Sequence, residues 1–254
     1  MDDPNAHGPS MGRPIPSAAE LQKRLAAFLK DEFCLDPLPA FCLLVEGWTD
    51  VGYLLKAAEL ARDLTGEDLL TVPPHFAQDG MARIAIRTPG LPKEPQRGGI
   101  PQMVRLANRL QSYVFTLEVF AGIIFLFDHD EAGRKAQQEI GPLGFKPDVN
   151  SLTLNPKCHP CACVKKGNMV MEDLLSLEIQ RRFFDLGNAW CNAEYENGNL
   201  VRLSWGYHSK GSLSEFVCKL GTWKDLREVG RVLHRVRTVF GLPTNAAIFD
   251  ATTA

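Results

Sequence analysis

Two short apolar runs stand out along the chain, Phe41-Cys42-Leu43-Leu44-Val45 and Ile123-Ile124-Phe125-Leu126-Phe127, and each stops abruptly at a carboxylate. Runs of this length suit strands better than helices, and their unbroken apolar character suits strands buried on both faces. Both are therefore expected inside one parallel sheet. Upstream, Ser17-Ala18-Ala19-Glu20 has the spacing of a capping box, and Leu21, Leu25, Phe28 and Leu29 recur at helical intervals, which predicts a helix over 18–33. After the first strand, at 41–46, Tyr53, Leu54, Ala57, Ala58 and Ala61 predict a second helix. Arg83-Ile84-Ala85-Ile86-Arg87 alternates as a strand does. Gly98-Gly99 leads into the helical spacing of Met103, Leu106, Ala107 and Leu110, and the third strand follows at 121–127. Residues 134–140 continue as a helix, and Ser151-Leu152-Thr153-Leu154 reads as a fourth strand. Strands alternating with helices through residue 154 predict a doubly wound α/β sheet.

Beyond residue 154 the pattern changes. Glu172-Asp173-Leu174-Leu175 is expected to open a helix running to about Leu186, and Asn197-Gly198 between Tyr195 and Val201 signals a hairpin. Ser212 with Glu215, and Thr222 with Asp225, have capping-box spacing ahead of helical apolar patterns. The expected organisation is a flexible tail over 1–16, an α/β domain with a leading helix over 17–175, and a helical C-terminal extension over 176–254. Glycine and proline crowd the first sixteen residues, and no repeat or low-complexity tract is present.

Composition is that of an ordinary globular protein, and a net charge of -2 over 254 residues supplies no global basic field. A nucleic-acid ligand would have to be held by a local patch or through a metal. No run approaches the roughly 18 apolar residues of a membrane span, and the start lacks the features of a signal peptide, so a cytoplasmic location without membrane contact is expected. Seven cysteines, an odd number, do not suit a disulfide framework.

The carboxylates at the strand ends carry the candidate chemistry. In an open parallel sheet, ligands sit outside the carboxyl ends of the strands, where Glu46, Asp128 and Asp130 would fall. Asp50 and Asp130, each taken alone, read as helix caps. Glu46 resists that reading, because a carboxylate directly after Leu43-Leu44-Val45 costs free energy at the edge of a dry sheet unless it is paired. Asp128 repeats the placement. Magnesium takes a few carboxylate oxygens and keeps several waters, which suits a sparse cluster of this kind. Asp128, Asp130, Gly133 and Glu139 also fall at positions 1, 3, 6 and 12 of an EF-hand loop, but Ala132 fails the fifth position and the residues before the loop form an apolar β-branched run rather than an amphipathic helix.

Glu46-Gly47-x-x-Asp50, followed one βαβ unit later by Asp128-x-Asp130-x-x-Gly133, resembles the Toprim domain shared by topoisomerases, primases and several nucleases. The resemblance covers roughly residues 41–175. Within that group the later segments Glu172-Asp173-Leu174-Leu175 and Lys210-Gly211-Ser212-Leu213 resemble nucleases of the overcoming-lysogenisation-defect (OLD) type. The resemblance implies a Rossmann-like Toprim sheet and a metal-dependent endonuclease hydrolysing DNA phosphodiester bonds with two Mg2+ or Mn2+ ions, about 3.5 to 4 Å apart. It implies Glu46, Asp128 and Asp130 as metal ligands, Asp50 as helper to one ion, Glu172 or Asp173 completing the second site, and Lys210 as a fixed positive charge beside the phosphate. Relatives of this type carry an ATPase ahead of the Toprim part. No G-x-x-x-x-G-K-[ST] occurs here, so an ATPase partner would be a separate polypeptide, as in a two-component defence or repair system.

Other readings of the same resemblance are a non-catalytic Toprim subunit for nucleic-acid binding or assembly, and a primase-like nucleotidyl transferase. A topoisomerase would need Tyr53, Tyr113, Tyr195 or Tyr207 presented from a second domain, for which the sequence offers no candidate. Cys158-His159-Pro160-Cys161-Ala162-Cys163 supplies two or three zinc ligands but no second C-x-x-C. His208, Cys191 or Cys218 would have to complete the tetrahedron, so zinc is not the expected metal. Lys165, Lys166 and Arg97 read as ordinary surface cations that would also suit phosphate contacts. His129, between the two aspartates, is expected to point away from them. The sequence leaves the oligomeric state open.

Overall fold

Ser17 starts the first helix. Its hydroxyl accepts from the Glu20 N–H while the Glu20 carboxylate accepts from the Ser17 N–H, and α1 runs over Ala18–Phe33 as the capping box predicts. The computed structural model describes residues 17–35, 41–76, 83–91, 94, 98–114, 122–154, 168–187 and 190–250. The first apolar run becomes β1 (Cys42–Val45), buried at every position, and leads through Gly47 into α2 (Trp48–Thr65). Strand β2 is short (Ala85–Arg87), since Arg83 forms only an isolated bridge to Thr71. Helix α3 (Ile100–Val114), strand β3 (Ile123–Phe127), helix α4 (Glu131–Ile140) and strand β4 (Ser151–Thr153) follow in the predicted order.

The four strands form one parallel sheet in the order β2-β1-β3-β4. Their side chains divide into two cores because successive residues of a strand face opposite sides. Leu43, Val45, Ile124, Leu126 and Leu152 join Tyr53, Leu54 and Ala57 of α2 on one face. Cys42, Leu44, Phe125 and Phe127 meet α1, α3 and α4 on the other through Leu29, Met103, Leu106 and Ala136. Moving from β1 to β2 thus places its helix on one face, while the crossovers to β3 and β4 place theirs on the opposite face. This is the outcome expected when right-handed crossovers reverse direction. The reversal falls between β1 and β3, so a crevice opens at their carboxyl ends.

The C-terminal elements differ from expectation in three ways. The helix expected from Glu172 to Leu186 is broken into a single 3-10 turn at Met171–Leu174 and helix α5 (Leu177–Phe184), because Ser176 adopts an extended backbone and caps α5 through Ile179 N–H. Ser212 caps nothing. It lies inside α6 (Tyr207–Leu220), which starts at Gly206, and its S-x-x-E spacing is an interior coincidence. The Asn197-Gly198 turn joins β5 (Cys191–Glu196) to β6 (Asn199–Trp205) as the expected antiparallel hairpin, and it is the helical description of 176–254 as a whole that fails. Thr222 and Asp225 do form the predicted capping box, at the start of α7 (Trp223–Val239). Leu226, Val229 and Leu233 of α7 pack into the same cluster as Leu43 and Ile124, so one continuous core crosses residue 175.

Candidate functional site

The crevice at the β1/β3 switch is a cleft of about 650 Å³ that takes in Glu46, Asp50, Asp128 and Lys210. Each acid is fixed by a backbone N–H. Register explains the first pairing: Val45 lies beside Leu126, so the residues just past the strand ends meet, and the Asp128 N–H donates to Glu46 Oε1 at 2.9 Å. Asp128 Oδ1 accepts from the Met171 N–H at 3.1 Å, which ties the end of β3 to the 3-10 turn. Asp50 reaches back to the Gly47 N–H at 2.9 Å.

The floor is built by close backbone approach. A Cβ on Gly98 would lie 2.7 Å from the Glu46 carbonyl oxygen and 2.4 Å from Thr88 Oγ1, so only glycine lets this loop cross the end of β1.

Glu172 and Lys210 complete the cluster. The Lys210 ammonium donates to Glu172 Oε2 at 2.8 Å, and Glu172 is 2 % exposed with its other oxygen, Oε1, lacking any hydrogen-bond partner. Asp173, its neighbour, is directed elsewhere: it takes both a 2.8 Å and a 2.6 Å bond from the Arg202 guanidinium on β6 and accepts from the Val170 N–H. Its role is to fasten the hairpin to the turn that carries Glu172. Asp130 caps α4, with Oδ1 2.7 Å from the Gly133 N–H. It still lies close enough to Glu46 to raise that group's pKa.

His129 turns toward β4, with Nδ1 3.2 Å from Thr153 Oγ1 and its backbone paired with Met169, away from the acids as expected. The residue run before Asp128 is a strand, so the EF-hand alternative has no first helix. Cys158, Cys161, Cys163, Lys165, Lys166 and Arg97 lie outside the described residues. Cys191 and Cys218 carry free thiols, on β5 and α6.

Burial sets the electrostatics. Burial pushes the Glu46 carboxyl up to about 7, opposed by the Asp128 N–H and Lys210 and reinforced by Asp130 and Glu172. Asp50 rises to about 7 through burial and then through the charge of Glu172, with Glu46 adding to it. Asp128 is driven well above the carboxylate range by burial, then by Glu46, Asp50 and Glu172. Burial alone would lower the Lys210 pKa, but Glu172, Asp128 and Asp50 outweigh it and raise the ammonium above its ordinary value. Among the described residues, Lys210 is the cation that acts on Glu46, Asp50 and Asp128, and it is also paired with Glu172. The cluster carries excess negative charge when ionised and is costly in that state without a further cation.

Among the described residues no group of three or more His, Cys, Asp and Glu side chains stands ready-closed as a metal cage. The reason is visible in the bonds above: Asp130 and Asp173 spend their oxygens on a helix cap and an arginine, and Glu172 is pulled toward Lys210. Sequence reasoning did not anticipate the cleft's aromatic rim, formed by Trp48, Tyr207 and His208. These come from separate elements, and only tertiary contact assembles them. Among the described residues no helix is long and apolar enough to cross a membrane.

The fold and the site together define a class: a parallel α/β protein with an acidic, lysine-bearing cleft at its topological switch point. Comparisons with family models, with curated proteins and with solved structures found no match to this chain.

A pH dependence follows from the raised carboxyls. Between about pH 4, where the unfolded chain's carboxyls ionise, and the folded values near 7, the folded state holds protons that the unfolded state has released. Stability is therefore greatest below the unfolded pKa and falls as pH rises through that window. A divalent cation that replaces those protons should offset the loss. In thermal denaturation the metal-free protein is expected to lose melting temperature between about pH 5 and pH 8. Added Mn2+ should raise the melting temperature increasingly over that range, and no Mn2+ effect at any pH would count against cation binding by these acids.

Proposed function

We propose that the protein is a Toprim-type, metal-dependent phosphodiesterase that cuts nucleic acid, DNA being the expected substrate. The observation that carries this reading is the convergence of Glu46, Asp50 and Asp128 on one cleft beside Lys210, with the buried, half-satisfied Glu172 paired to that lysine behind it. Glu46 and Asp50, pushed up to about 7, and Asp128, driven well above the carboxylate range, are crowded hard oxygen donors awaiting a counter-charge, and Mg2+ or Mn2+ supplies it in kind. The donor set fits such an ion: Glu46, Asp128 and Asp50 would hold it from the strand ends, and the unpartnered Glu172 Oε1 offers a further ligand. Bound there, divalent cations would lower the pKa of a water and neutralise charge on a leaving oxygen.

The chain's own groups supply the rest. Lys210, anchored by Glu172 and facing the same cleft, places a fixed positive charge where the phosphoryl oxygens gain negative charge. Gly98 and Gly99 line the cleft beside these groups, so a phosphodiester in it would meet backbone there. Asp130 has two compatible tasks, capping α4 and adding negative field at Glu46. Asp173 is excluded from the ligand set by its bidentate hold on Arg202.

The test is incubation of supercoiled plasmid with the protein in Mg2+ or Mn2+ against chelator, with a nucleotide-incorporation assay alongside. Nicking or linearisation that needs the divalent ion is expected, without incorporation. Incorporation without cutting would move the reading to nucleotidyl transfer, and neither activity would leave a non-catalytic binding or assembly subunit. A separate ATPase polypeptide and a role as its effector rest on the sequence resemblance alone.

A further inference from the structure

Aromatic side chains are exposed around the mouth of the cleft in a way that core packing does not explain. Trp48, at the first turn of α2, is 37 % exposed and lies over Gly211, where a Cβ would come within 3.2 Å of its ring. Tyr207, at the first turn of α6, is 77 % exposed, and its ring meets that of His208 edge-on at 5.5 Å. Trp48, Tyr207 and His208 all line the cleft. Trp190 is 88 % exposed, and its backbone is fastened to the same helix start: its carbonyl accepts from the Gly206 N–H, and its N–H donates to Ser209 Oγ at 2.9 Å. Tyr207 at the cleft and Trp190 tied to the start of the same helix stand largely in water, and Trp48 partly so, which forgoes hydrophobic gain, and such residues are concentrated where a ligand covers them.

We infer that Trp48, Tyr207, His208 and Trp190 form a stacking platform for the unpaired bases of a single nucleic-acid strand whose backbone enters the acidic cleft at Lys210. This rests on the phosphodiesterase reading and names its preferred substrate as single-stranded or frayed rather than fully paired. The chemistry favours this occupant over a protein partner. Planar faces flanking a phosphate-binding lysine match the alternation of base and phosphate along one strand, and stacking accepts any base. Gly206 provides no side-chain cap to α6, so the positive end of that helix, next to Tyr207, is open to a phosphate. In a duplex the base faces are stacked on one another and unavailable. Sequence gave no sign of the platform, because residues 48, 190 and 207–208 lie on three separate segments.

The experiment separates binding from cutting. Fluorescence anisotropy with a labelled thymidine oligomer, the matching RNA oligomer and a DNA duplex of equal length is measured in chelator, where no hydrolysis occurs. The wild type is compared with Tyr207→Ala, Trp190→Ala and Tyr207→Phe. Plasmid and oligomer cleavage in Mn2+ is followed in parallel. The wild type should bind the single strand at least tenfold more tightly than the duplex. Each alanine variant should lose roughly tenfold in single-strand affinity, with Tyr207→Phe close to wild type because the ring, not the hydroxyl, does the stacking. Both residues are largely exposed, and unchanged melting temperatures should verify that the variants fold. Equal or tighter binding of duplex, or alanine variants that bind as wild type does, overturns the platform. If plasmid is still cut in Mn2+, that failure leaves the phosphodiesterase reading standing. Strand binding with no cleavage of any substrate sinks the hydrolytic reading and leaves the platform.

Discussion

Alanine at Asp128 is expected to reduce metal-dependent cleavage by at least about a hundredfold, the scale on which loss of one preorganised charged group in an active site is felt. Asp128 sits at the end of β3, with every residue of Ile123–Phe127 buried behind it, and one oxygen held by the Met171 N–H. The fold has no structural need for its charge: burial and the neighbouring Glu46, Asp50 and Glu172 all work against ionisation. Asp128→Asn separates the two roles. The amide keeps the shape and the acceptor for Met171 but removes the charge, so near neutral pH the variant should be at least as stable as the wild type while cleavage collapses. Stability gained where activity is lost is the signature of a strained functional group. An Asp128→Asn protein that cuts plasmid normally would make the residue structural. Glu46→Ala should match it in activity, because Glu46 faces Asp128 across the same strand ends.

Alanine at Gly133 is expected to be the most disruptive single-methyl change in the chain. A Cβ there would stand 2.1 Å from the Asp128 carbonyl oxygen, 3.0 Å from its carbonyl carbon and 3.3 Å from Phe127 Cβ, and the first of these is fixed backbone. Helix α4 would have to move off the end of β3, breaking the 2.7 Å Asp130 cap and shifting Asp128 within the cleft. Overpacking of this kind costs about 1–3 kcal/mol and sometimes more, and a displacement of this scale beside reacting groups reduces cleavage strongly. Urea denaturation should show the loss. Gly141→Ala is the matched control: its backbone is right-handed helical, and nothing lies within 4 Å of the added methyl, so stability should be unchanged or slightly raised.

The sheet was legible because its two inner strands are unbroken apolar runs with no polar face to obscure them. Leu43-Leu44-Val45 and Ile123–Phe127 became β1 and β3, and a carboxylate directly after each had only one place to be. Helix starts were legible where the first residue and the acid three positions on bond to each other, as at Ser17 with Glu20 and Thr222 with Asp225. The Ser212 signal misled because S-x-x-E spacing also occurs inside a helix whose true start, Gly206, carries no side-chain signal at all.

The site was legible only in part, for a related reason. Glu172 and Asp173 are adjacent and chemically alike, and which one pairs with Lys210 goes with the hold of Arg202, 29 residues beyond Asp173 on β6, on the other. No local pattern encodes that choice. The resemblance named Lys210 as a charge beside the phosphate but gave it no partner; it lies within α6 and joins the cluster through an ion pair with Glu172, 38 residues distant in the chain. The aromatic rim had no periodicity to reveal it. Long-range pairing, then, decided the roles that sequence left open.

The central claim is that the acids at the ends of β1 and β3, with Glu172 behind them, hold divalent cations. Crystals soaked in Mn2+ and measured at the manganese absorption edge address it without reference to any activity. Anomalous density is expected in the cleft within bonding distance of Glu46 and Asp128. Manganese bound only at the molecular surface, with the carboxylates unchanged and Glu172 still paired to Lys210 alone, would contradict it.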